Sequence, residues 1–109
     1  MGVSIDCMLI VGLHAEELRA GLPQDLRDRI EEEGFYDVVS EDGTLGLRSA
    51  SPYFDSESDS RIWGISILSE YWGAIEVPDD LPALALVAKD KFKSITGLDG
   101  RLYFSANVT

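Results

Sequence analysis

Across 109 residues the sequence holds one cysteine, one histidine and nine basic side chains. A lone cysteine, Cys7, leaves no intramolecular disulfide framework, no paired-thiol redox motif and no cysteine-rich zinc site. With His14 as the sole imidazole, the usual proton acceptor of Ser-His-acid catalysis is confined to one position directly after an apolar run. No serine stands in a G-x-S-x-G elbow, because Gly64-Ile65-Ser66-Ile67-Leu68 lacks the second glycine. Few lysines and arginines, with only Lys89, Lys91 and Lys93 close together, argue against direct contact with nucleic acid or an anionic membrane. The longest strongly apolar stretch, Cys7 to Leu13, is too short for a membrane span, and the start Met-Gly-Val-Ser-Ile-Asp has no basic leader region. Asp6 stands where a myristoylation signal takes Ser or Thr. These absences lead us to expect a cytoplasmic, non-enzymatic protein with no cofactor.

What the chain has in abundance is acid. Twenty Asp and Glu against nine Lys and Arg give a formal charge of -11. Residues 1 to 60 hold 14 acidic and 4 basic side chains, a balance of -10, whereas residues 61 to 109 are near neutral. An apolar share of 45% is still enough to drive folding, and a chain of this length builds one core, so residues 1–109 are read as a single domain.

Alternation in Val3 to Val11, becoming continuously apolar, predicts a central first strand. Leu18, Leu22, Leu26 and Ile30 recur every four residues with Gly21 and Pro23 between, which predicts a helical turn at 15–20 and a second helix from Pro23 to about Glu33, stopped by Gly34. Phe35 to Val39 and Thr44 to Arg48 flank Glu41-Asp42-Gly43 and read as a hairpin, with Gly43 supplying a positive φ. Arg61 to Leu68 and Tyr71 to Val77 read as two strands joined at Ser69-Glu70, the first with Trp63 facing inward. Asp80 is placed as the cap of a helix from Leu81 to Thr96, its inner face formed by Leu84, Ala88, Phe92 and Ile95, with Gly97 after its end. Arg101 to Val108 alternates as a last strand. The expected fold is α+β, a mainly antiparallel sheet of five or six strands with two helices on one face.

Of the metal-like patterns, Asp55-Ser-Glu57-Ser-Asp59 resembles the opening of an EF-hand calcium loop, but Ser60 and Ser66 replace the glycine and the bidentate glutamate, so it reads as a solvated loop and no metal site is assigned. The acidic surface is the better candidate. At about 100° per residue, Asp25, Asp28 and Glu32 cluster opposite Leu26 and Ile30. Carboxylates so spaced stand about 5 to 6 Å apart, comparable with phosphates along a nucleic-acid strand. Glu31, Glu32 and Glu33 sit at a helix carboxyl end, where acid is mildly unfavourable, so helix stability did not select them. Asp37, Glu41, Asp42, Asp55, Glu57 and Asp59 extend the track, and Trp72, on the outer face of its predicted strand, adds an aromatic contact.

In composition the chain resembles small acidic inhibitors that imitate nucleic acid, including phage-encoded blockers of restriction or CRISPR defence. That resemblance implies a basic, nucleic-acid-handling protein as the partner, met by Asp25, Asp28, Glu31, Glu32, Glu33, Glu41, Asp42, Asp55, Glu57, Asp59 and Trp72. The alternatives are an immunity-type neutraliser of a basic toxin nuclease and a carboxylate-based metal-binding regulator. An edge strand also offers a route to a homodimer.

Overall fold

The computed structural model describes residues 5–50, 61–71 and 76–108. In chain order the elements are β1 (Ile5–His14), α1 (Ala15–Gly21), α2 (Gln24–Glu33), α3 (Phe35–Val39), β2 (Arg48–Ala50), β3 (Ile62–Tyr71), α4 (Leu81–Thr96) and β4 (Arg101–Val108). The strands form one antiparallel sheet in the order β2-β3-β1-β4. The first strand is therefore interior, as its apolar run implies. The fold is α+β, with four described strands where five or six were expected and four helices where two were expected.

Strand β1 has two unlike faces because its side chains alternate. Val11 and Leu13 join Trp63 of β3 and side chains from all four helices, Leu18, Ile30, Val38, Val39, Ala88 and Phe92 among them, in the main buried cluster. Ile10 turns the other way and packs with Ala50, Ile62, Met8 and Tyr103. Between Leu9 and Ile10 the register with β3 slips by one residue, since Leu9 faces Leu68 and Ile10 faces Ser66, which leaves Ile67 as the extra residue of a bulge. Gly12 and Gly64 face each other across β1 and β3, and a Cβ on either would collide with the opposite backbone. The strands meet there because neither residue has a side chain.

One expected turn is absent. Ser69-Glu70 does not separate two strands: β3 runs through it, with Ser69 opposite Met8 and Glu70 opposite Cys7. The pair has no glycine, proline or asparagine to reverse the chain, and the ten-residue β1 offers a partner along its whole length. Of the strand expected over 71–77, Tyr71 ends β3, residues 76–78 are not strand, and 72–75 lie outside the described residues.

Nor is Phe35 to Val39 the first arm of a hairpin. It is helical, because adjacent Val38 and Val39 are both fully buried with Phe35 half-buried beside them. In a one-sided strand two neighbours cannot share the core, whereas positions i, i+3 and i+4 of a helix do. The amides of Leu45 and Leu47 then bond the carbonyls of Val38 and Val39 at 2.8 and 3.0 Å, satisfying acceptors at the helix end. Gly43 is needed there for close approach rather than for positive φ: a Cβ would come within 2.5 Å of the Asp37 carbonyl oxygen, and it is Gly46 that has a φ of 65°.

Helix boundaries follow the sequence more closely. Pro23 precedes α2 and Gly34, at φ 97°, ends it. Helix α4 has Pro82 in its first turn and Gly97 in the left-handed region after its end. Asp80 does occupy the N-cap position, but its side chain makes no capping hydrogen bond. Ala88 and Phe92 are buried and Leu84 and Ile95 half-buried, the inward face the spacing implies. Among the described residues no helix is long and apolar enough to cross a membrane.

Candidate interaction surface

Helix α2 anchors to the core through buried Ile30 and half-buried Leu26. Its other sides face solvent, and Asp25, Asp28, Glu31, Glu32 and Glu33 are all exposed. Local contacts then divide them. Gln24 donates through Nε2 to Asp28 Oδ1 at 2.8 Å, and Arg29 donates through Nε to Glu33 Oε2 at 2.9 Å. The Arg29 pKa is raised above its ordinary value, first by that hydrogen bond and second by the Glu33 charge. A second Arg29 nitrogen donates to Thr44 Oγ1 at 2.9 Å, which ties α2 to the turn carrying Glu41 and Asp42. Glu41 in turn lies 3.7 Å from Arg48, while Asp42 is exposed. Asp25, Asp28 and Glu32 thus form an exposed carboxylate stripe on α2, Asp28 accepting from Gln24, and Glu33 and Glu41 are each held by an arginine.

Asp55, Glu57, Asp59 and Trp72 lie outside the described residues. Trp63 is inside, 2% exposed, as its place beside Ile65 and Ile67 implies. Its ring meets Phe35 and Tyr36 edge-on at 5.5 and 5.2 Å, and its Nε1 is buried with no hydrogen-bond partner among the described residues. His14 precedes α1 and sits half-buried, edge-on to Tyr103 at 5.3 Å. Cys7 is half-buried in β1. Among the described residues no three His, Cys, Asp or Glu side chains gather as a metal site.

Two features near α2 escape a reading along the chain. One is Tyr36, 52% exposed, whose hydroxyl accepts a hydrogen bond from Arg61 Nη1 while the Arg61 guanidinium lies 5.7 Å from the ring centre. The other is an open cleft of about 570 Å³ lined by Arg19, Arg27, Ile30, Glu31 and Phe35, with the Arg19 guanidinium 5.1 Å from the Phe35 ring centre. The cleft sets two cations, Arg19 and Arg27, beside two carboxylates, Glu16 and Glu31, over an apolar floor. Its residues come from α1, α2 and α3, so no local pattern announces it; apolar Phe35 beside α2 is the one available cue.

Compared with protein-family models, with curated proteins and with solved structures, the chain matches none.

Proposed function

We propose that this protein acts by binding, as a small acidic inhibitor of a basic nucleic-acid-handling protein, in the manner of phage-encoded anti-CRISPR or anti-restriction proteins that imitate nucleic acid. The observation that carries the reading is the exposed stripe of Asp25, Asp28 and Glu32 on one side of α2, set in a half of the chain with a balance of -10. Such a stripe draws a lysine- and arginine-lined groove from a distance and releases the counterions condensed on both surfaces. Asp42 and Glu31 widen it. Tyr36 of α3, amphipathic and half open to solvent, supplies the aromatic anchor that charge alone does not.

The experiment is affinity capture of bacterial proteins by the tagged full chain at low and high salt, followed by replacement of Asp25, Asp28 and Glu32 by Lys. A nucleic-acid-binding protein retained at low salt, displaced by added DNA and lost by the triple variant is the expected result. We expect the variant to lose at least about a hundredfold in affinity and most of the salt dependence, as ionic contacts at a charged interface do. Unchanged affinity in the variant overturns the role of the stripe.

A further inference from the structure

Six arginines stand in a chain with twenty acidic side chains, and four of the six are engaged. Arg29, Arg48 and Arg101 pair with Glu33, Glu41 and Glu17, and Arg61 donates to the Tyr36 hydroxyl. Arg19 and Arg27 make no side-chain hydrogen bond or ion pair among the described residues. Both line the same cleft of about 570 Å³. Local partners stand within reach: Glu16 is three positions before Arg19 on α1 and Glu31 four after Arg27 on α2, separations at which helical side chains meet. Neither pair closes. Arg19 instead lays its guanidinium 5.1 Å from the centre of the Phe35 ring. Two exposed cations and two exposed carboxylates, none satisfied by another, therefore surround a floor of buried Ile30 and half-buried Phe35.

We propose that this cleft binds a small zwitterion with an apolar body, an α-amino acid carrying an aromatic or aliphatic side chain. Its carboxylate accepts from Arg19 and Arg27, its ammonium donates to Glu16 and Glu31, and its side chain covers Ile30 and Phe35. Charge argues for this class at two ranges. A simple anion meets two carboxylates in the cleft and approaches a molecule whose net charge of -11 repels it. A simple cation meets two arginines there, and the carboxylate stripe of α2 offers it a better place. A ligand neutral overall but carrying both signs avoids the long-range penalty and satisfies all four groups. The cleft volume also suits a small molecule, since such sites span about 300 to 1,000 Å³. The inference goes beyond the proposed function: of the acidic surface it uses Glu31, and none of Asp25, Asp28 and Glu32.

Two-dimensional amide NMR spectra of the full chain, titrated with free phenylalanine, test it. The expected result is a saturable shift confined to α1, α2 and Phe35, with a dissociation constant of about 1 mM or tighter. Hydrocinnamate, which lacks the ammonium, and phenethylamine, which lacks the carboxylate, should each bind at least about tenfold more weakly, because each leaves two charged groups of the cleft without a partner. Glycine, without the apolar body, should bind more weakly as well. Arg27→Gln should weaken phenylalanine binding at least about tenfold. Glu31→Gln should also weaken it yet strengthen hydrocinnamate binding, since one carboxylate facing the anion is gone, a reversal that damage to the fold does not produce. Val87→Lys, at the 65% exposed outer side of α4, should change neither. No saturable shift up to tens of millimolar phenylalanine overturns the proposal. So does hydrocinnamate or phenethylamine binding as tightly as phenylalanine, affinity retained in both cleft variants, or shifts centred away from the cleft.

Discussion

Two glycines set how closely the central strands approach. At Gly12 and Gly64 a methyl group has no flexible neighbour to displace: it meets the carbonyl of Trp63 in one case and that of Val11 in the other. Overpacking into backbone is relieved only by separating the strands, so Gly64→Ala is expected to cost about 3 kcal/mol, read from urea unfolding midpoints. Gly97→Ala makes the contrast. There the space is open and the penalty is that of a φ of 78°, about 1 kcal/mol, with the fold unchanged. The two kinds of glycine look alike in sequence. Gly34 and Gly97 were legible because each follows an amphipathic helical run, whereas Gly12 and Gly64 acquire their importance only from each other, across fifty-two positions of chain. Gly43 shows the same limit: its residue type implied a turn, but the demand it meets comes from the carbonyl of Asp37.

Among the elements, the helices with clear punctuation were the most legible. Pro23 and Gly34 bracket α2, and Pro82 and Gly97 bracket α4. Where punctuation was read too readily, the elements differ: Glu41-Asp42-Gly43 suggested a hairpin, yet burial of adjacent Val38 and Val39 makes the preceding segment a helix. In β3 the polar pair Ser69-Glu70 reads as a break, yet the ten-residue strand runs through it opposite Met8 and Cys7, its register with β1 shifted by the bulge at Ile67. Helix α4 is held chiefly by Phe92, fully buried against the main cluster. Phe92→Ala should destabilise the protein by about 3 to 5 kcal/mol, the range for removing a buried aromatic ring, measured by chemical unfolding. Of the candidate surface, the Asp25, Asp28 and Glu32 stripe could be read from helical angles. The Arg19 and Arg27 cleft and the Tyr36–Arg61 contact could not, since each joins separate elements.

The molecule as a whole carries far more negative charge than the ion pairs of its described residues involve. Four salt bridges join described side chains, all solvent-exposed and each worth little in water. Self-repulsion at a net charge of -11 therefore opposes the folded state. Raising sodium chloride from tens to hundreds of millimolar should increase the melting temperature by several degrees, where each 1 kcal/mol gained corresponds to about 4 to 8 °C in a small domain. A melting temperature that falls with salt would mean that the exposed ion pairs outweigh the repulsion.

Strand β1 also imposes an order on how the molecule comes into being. One of its flanks is taken by β3, but the other waits for residues 101–108, so that Ile5 meets Val108. During synthesis the strand at the heart of the sheet is made well before the segment that closes its second flank. Until then its apolar side chains and unpaired amides remain open to wrong partners, and closure over so long a separation makes refolding slow.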